Sequence, residues 1–188
     1  CYEKMKNKKM MLVILVIVII GLGSVVIPKL MKQQDTVKTD AVKVGILQYV
    51  THPALDEIYA GIKQGLSDEG YSNAKLNFYN AQADQSKVTT MSGQLVDQKN
   101  NVLIGIATPS VQGLANATSD IPIIMGAVSD PVGAKLIKNV KKPEGNVTGV
   151  SDKFPVDKEV ELIKTLTPDV KKIGILYSSS EDNSKSQV

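Results

Sequence analysis

From Val42 onward, short apolar runs alternate with longer stretches whose apolar residues recur at helical spacing. That alternation predicts an α/β chain wound around a parallel sheet. Val42-Lys43-Val44-Gly45-Ile46-Leu47 reads as the first strand. Leu55, Ile58, Tyr59, Ile62 and Leu66 then mark one face of a helix that Gly70 closes. Lys75 to Tyr79 alternates as a second strand, and Val88, Met91, Leu95 and Val96 line the next helix. Val102 to Ile106 is apolar at almost every position, as a strand covered on both faces must be. A helix through Val111, Leu114 and Ala115 follows, with Thr108 or Ser110 as its cap. Ile121 to Met125 predicts a fourth strand, Val132 to Leu136 a short helical turn, and Gly145 to Val150 the approach to a fifth strand. Val156, Val160, Ile163 and Leu166 predict a helix that stops at Pro168, and Lys172 to Tyr177 a sixth strand.

Polar clusters directly follow the apolar runs: Tyr49-Val50-Thr51-His52-Pro53, Ala107-Thr108-Pro109-Ser110, Val128-Ser129-Asp130-Pro131 and Tyr177-Ser178-Ser179-Ser180. Ligands of open α/β sheets bind just outside the carboxyl ends of the strands, so these clusters predict one polar rim as the functional site. Thr108 and Ser110 stand where a helix begins, and there unpaired N–H groups and the positive dipole end favour a carboxylate. Asp130 suits an ammonium or a hydroxyl. Each residue also has a plainer reading: a helix cap for Thr108 and Ser110, a turn with Pro131 for Asp130, the lead into the first helix for Thr51 and His52.

The first 32 residues are of another kind. Met10 to Ile27 is an unbroken apolar or small-residue run of about 18, roughly the span of a bilayer core. Lys4, Lys6, Lys8 and Lys9 precede it, which places the rest of the chain outside the cytoplasm. Gly23-Ser24-Val25-Val26-Ile27-Pro28 is a poor cleavage site, so the run reads as a retained membrane anchor in preference to a cleaved signal. Residues 33–41 form a polar linker. Cys1 has no second cysteine to pair with, and a lipid on it would be redundant beside a membrane segment.

Composition excludes several classes of function. Residues 1–32 hold six of the 22 lysines and one acid, which leaves 16 lysines against 18 acids in the body. The excess positive charge therefore lies beside the membrane run and not on the folded domain, against a nucleic-acid partner. No arginine is present, so a carboxylate ligand must be held by hydroxyls, backbone N–H groups or lysine. His52 is the only histidine, too little for a zinc site and the sole base a serine nucleophile could use. Gly21-Leu22-Gly23 lies inside the apolar run and is no dinucleotide loop. No catalytic residue, metal or cofactor is expected; the rim suits a small zwitterion or polar molecule.

Several motifs in order carry a resemblance. Leu47-Gln48-Tyr49-Val50-Thr51-His52-Pro53-Ala54-Leu55-Asp56, Gly105-Ile106-Ala107-Thr108-Pro109-Ser110, Ser129-Asp130-Pro131-Val132-Gly133-Ala134-Lys135-Leu136, Asn146-Val147-Thr148-Gly149-Val150-Ser151-Asp152 and Ile173-Gly174-Ile175-Leu176-Tyr177 resemble the substrate-binding proteins of ABC transporters of the tryptophan- or tyrosine-uptake type. The resemblance covers about residues 42 to 188. It implies a Rossmann-like parallel-sheet lobe of a two-lobe, type I periplasmic-binding-protein fold. The first lobe would span 42–150, and 151–188 would begin a second, truncated one. An aromatic amino acid would lie in the interlobe cleft for delivery to an ABC permease subunit. Thr108, Ser110 and Asp130 would line the first lobe's side, and Ser180, Asn183 and Ser184 would come from the second. Thr51, His52 and Asp56 would sit at the cleft mouth or hinge side. The body would be held at the cell membrane by the N-terminal helix. A ligand-sensing ectodomain of a membrane receptor is an alternative on the same fold, and an exported hydrolase using Ser and His52 a third reading.

Overall fold

Strands β1 (Lys43–Gln48), β2 (Lys75–Asn80), β3 (Val102–Ile106), β4 (Ile123–Gly126) and β5 (Val147–Val150) form one parallel sheet in the order β2-β1-β3-β4-β5. The computed structural model describes residues 41–187. The expected anchor over 1–32 and nearly all of the linker lie outside them. Among the described residues, no helix is long and apolar enough to cross a membrane.

Helices α1 (Pro53–Asp68), α2 (Gln85–Asp97) and α3 (Thr108–Ala117) cover the sheet on both sides. Side chains alternate across each strand, so Val44 and Ile46 pack with Ile104 and Ile106 beneath Leu55, Ile58 and Ile62 of α1. Leu47, Leu103, Ile123 and Met125 point the other way, onto Val88 and Leu95 of α2 and Val111 and Leu114 of α3. Each fully buried side chain of this size contributes roughly 1.5–3 kcal/mol, so these two layers hold the lobe together.

Local chemistry sets the helix ends. His52 caps α1, its Nδ1 accepting from the Ala54 N–H at 3.3 Å, and Pro53 occupies the first helical position. Gly70 ends the helix in the left-handed region at φ +85°, as its place after the last apolar residue predicts. Asp84 caps α2 by accepting from Ser86 and Lys87 at 2.8 and 3.2 Å.

The 132–136 segment is a short helical turn as expected, closed by Ala134 N–H to Asp130 O at 2.9 Å. Two sequence expectations need correction. The fourth strand begins at Ile123 and not Ile121. Residues 172–177 form no strand, and Ile173, Ile175 and Tyr177 stay 47, 59 and 50% exposed. A strand exists only through a partner's backbone, and alternation alone supplies none. The helix before it, α4 (Val156–Leu166), forms at the expected place yet buries no residue. A short helix, α5 (Asp182–Lys185), follows.

Candidate functional site

The strand order makes β1 and β3 neighbours, while the helices that follow them pack on opposite faces of the sheet. That is the topological switch point, where the loops diverge and leave a crevice at the carboxyl ends. Gln48 and Ile106, the last residues of β1 and β3, are in register, and Tyr49 N–H donates to Ile106 O at 3.3 Å. The crevice is therefore walled by 49–52 and 107–110, with 127–131 beside it at the end of β4.

The start of α3 departs from the expected cap. Ala107 occupies the N-cap position at φ 75° and ψ 155°, and no side chain caps the helix. Thr108 is already helical, and Thr108 and Ser110 are 3 and 0% exposed. The capping reading thus fails for both: an N-cap must stand outside the helix to reach back to it. The Ser110 hydroxyl is buried and has no hydrogen-bond partner among the described residues. Pro109 has no N–H, and those of Thr108 and Ser110 precede any intrahelical acceptor.

Backbone strain gathers on this rim. Ala107 occupies a region that is nearly glycine-only, and Ala127, just after β4, has φ 85°. Gln82 and Ala83, just after β2, have φ 56° and 59°. Such residues cost about 1–3 kcal/mol each and collect where a ligand is held. Ala107→Gly should therefore raise the unfolding free energy in urea by about 1 kcal/mol, the relief exceeding glycine's extra chain entropy. A loss of stability with unchanged m-value would show that the turn is not strained.

The other predicted residues occupy varied places. Asp130 is half-buried and its Oδ1 accepts from Gly133 N–H at 2.8 Å, so the turn reading is realised. It also borders a cleft of about 460 Å³ with Ser129, Ser151, Phe154 and Gln187. Thr51 is exposed and its Oγ1 accepts from Asn80 at 3.1 Å, toward the β2 side. His52 is exposed as well, with one ring nitrogen engaged in the α1 cap. Ser180 is exposed, its Oγ 3.1 Å from that of Ser178, and Ser184 borders an apolar groove beside Tyr177. Asn183 lies on α5, with Oδ1 buried and without a partner among the described residues.

Contacts that the sequence reading did not foresee hold α5 against the rim. Gln112 of α3 donates to Asp182 Oδ2 at 2.9 Å and to Ala134 O at 3.3 Å. The Tyr49 hydroxyl lies 3.4 Å from Glu181 Oε1. Burial, then the Glu181 carboxylate with Asp84 behind it, pushes the Tyr49 hydroxyl above its ordinary value. The Gln112 hydrogen bond, then Lys185, holds the Asp182 carboxyl below the usual range. Gln112 thus ties α5, which carries Asn183, to the helix that Thr108 and Ser110 open, while Thr51 bonds toward β2 and His52 caps α1. Gln48, 1% exposed, was missed too. Its signal was a polar residue at the inward position that follows Val44 and Ile46.

Residues 43–188 match the sequence model of the family described as ABC transporter substrate binding protein. The chain belongs to that family. A tyrosine-binding protein of Clostridioides difficile (strain R20291) is 49% identical over 157 residues, covering 80% of this chain and 46% of the relative. The crystal structure of an ABC domain from Streptococcus pneumoniae in complex with L-Trp is 60% identical, with a TM-score of 0.76 over 79% of this chain and 51% of that one. A ligand-free, open substrate-binding protein with adhesive properties from Clostridium difficile is 44% identical, with a TM-score of 0.64 over 78% of this chain and 50% of that one. The chain therefore spans about half the length of the relatives it matches. The family is a class of binding proteins rather than enzymes, and the match to these structures shows their α/β fold in this chain.

Proposed function

We propose that this chain forms one side of the interlobe cleft of an ABC importer's substrate-binding protein and holds an aromatic amino acid there for the permease subunit. The observation that carries this reading is the start of α3: a buried Ser110 hydroxyl without a partner among the described residues, at the unpaired N–H end of a helix, on the switch point of the sheet. The ligand's carboxylate is placed there, in the absence of arginine, by Thr108 and Ser110. Asp130 and the Asn183 Oδ1 accept from the ligand's donors. Thr51, His52, Ser180 and Ser184 border the cleft. The aromatic class is supported by relatives described as tyrosine-binding and as complexed with L-Trp. The apolar run at Met10 to Ile27, with lysines before it, supports a body outside the cytoplasm tethered at the membrane.

Titration calorimetry of the full-length protein with L-Trp and L-Tyr tests the reading. Binding in the micromolar range, about −8 kcal/mol, with a negative heat-capacity change is expected. Ser110→Ala should weaken it about tenfold while leaving the free protein as stable or up to about 1 kcal/mol more so, because a buried unpaired hydroxyl is removed. Absence of binding to either amino acid, or unchanged affinity in the Ser110 variant, would refute the assignment.

A further inference from the structure

Gln48 ends β1 on the side that faces α1, where Val44 and Ile46 are buried with Ile104 and Ile106. Its amide nitrogen donates to Val50 O at 2.9 Å and to Asp56 Oδ1 at 2.7 Å. A backbone carbonyl and an ionised carboxylate can only accept. The amide therefore cannot be turned over: both of its protons are committed, and Oε1 is held on the opposite side. That oxygen is buried and has no partner among the described residues. A buried acceptor left unmet is destabilising, whereas an apolar side chain of the same shape would carry no such penalty. The arrangement also ties the end of β1, its following loop and the first turn of α1 together at the switch point, since Asp56 N–H donates to His52 O at 2.9 Å.

We infer that Gln48 is a specificity-determining residue whose Oε1 accepts a hydrogen bond from the ammonium of the bound amino acid; this rests on the reading that the cleft takes an amino acid. The chemistry selects that group. Oε1 needs a donor, and the Asp56 carboxylate behind the same amide favours a cation over an anion. β1 and β3 are adjacent, and neighbouring strands lie about 4.8 Å apart. The ammonium and carboxylate of an amino acid hang from one Cα, so a ligand seated over two adjacent strand ends can turn one group toward each. One strand end thus addresses each group, with the carboxylate at the start of α3 and the ammonium at Gln48. Asp130, beyond the end of β4, is left for a donor on the ligand's side chain.

The test compares L-Trp with indole-3-propionate, its analogue without the ammonium, on the full-length wild type, Gln48→Met and Asp56→Asn, with thermal unfolding of each. Gln48→Met keeps the side chain's length and removes donor and acceptor. It should weaken L-Trp about 10- to 100-fold, as expected for a hydrogen bond to a charged group, and indole-3-propionate less than threefold. Asp56→Asn keeps an acceptor for the Gln48 amide and removes the negative charge behind it. The preference for L-Trp should fall likewise. A purely structural role would weaken both ligands by the same factor in Gln48→Met, and that result overturns the inference. Should that variant not fold, Asp56→Asn decides, and an unchanged preference there overturns it. If wild type binds neither L-Trp nor L-Tyr, the amino-acid reading falls and this assignment with it. Should only L-Tyr bind, the same comparison is made with its desamino analogue.

Discussion

Gly149→Ala is expected to destabilise the protein by roughly 3 to 4 kcal/mol, the sum of backbone strain and overpacking. Gly149 has φ +144°, a region that side-chain-bearing residues rarely adopt, and it pairs with Met125 of β4. A Cβ there would overlap the Met125 backbone nitrogen and oxygen and lie 2.8 Å from its Cα. The neighbouring pair, Ile123 with Val147, is buried and cannot slide to make room. The damage should reach the site. Val128 N–H donates to Val150 O at 3.4 Å and Asp152 N–H to Val128 O at 3.3 Å, so β5 holds the segment that leads to Asp130. Urea unfolding and ligand titration check both effects. A loss below about 1 kcal/mol would mean that β5 does not approach β4 as closely as the structure shows.

Gly105→Ala should cost about 2 to 3 kcal/mol and weaken ligand binding at least about tenfold. Gly105 sits in β3 beneath α3, and a Cβ there would lie 2.6 Å from a Val111 methyl and 2.8 Å from the Val111 backbone nitrogen. The contact with backbone cannot be relieved by a rotamer change, so the first turn of α3 must lift from the sheet. Val111 N–H makes the bond to Ala107 O at 3.3 Å, and lifting it displaces the very turn that carries Thr108 and Ser110. Gly65 in α1 is the control. Nothing lies within 4 Å of a Cβ at that position, so Gly65→Ala should leave binding unchanged and stabilise the helix by about 0.5–1 kcal/mol. Equal behaviour of the two variants would show that α3 is not seated on Gly105.

Much of the lobe was legible in the chain because element identity is a local property. Strands β1 to β5 and helices α1 to α4 stand within a few residues of where the two periodicities place them. The rim was legible for a related reason: the polar clusters follow apolar strands directly, and in parallel sheets the strand ends share one edge. Two local inferences failed. Residues 172–177 alternate well, yet they find no partner backbone among the described residues and form no strand. Thr108 and Ser110 are good capping residues by type, but the helix begins at Thr108, one residue earlier than a cap at Thr108 would require and three earlier than a cap at Ser110. Only the backbone angles of Ala107 show that, and composition carries no trace of them.

Hydrophobic period and turn residues by themselves determined that this chain makes a doubly covered parallel sheet with polar carboxyl ends, since both depend on neighbours a few positions away. Tertiary structure alone decided the order of the strands, because Val44 pairs with Leu76 on one side and Val102 on the other, and no local pattern encodes a choice among distant partners. From that order came the switch point between β1 and β3. From the packing of α1 and α3 on opposite faces came the burial of Gln48 and Ser110, two polar groups whose unmet hydrogen-bonding capacity exists only once the surrounding chain has excluded water.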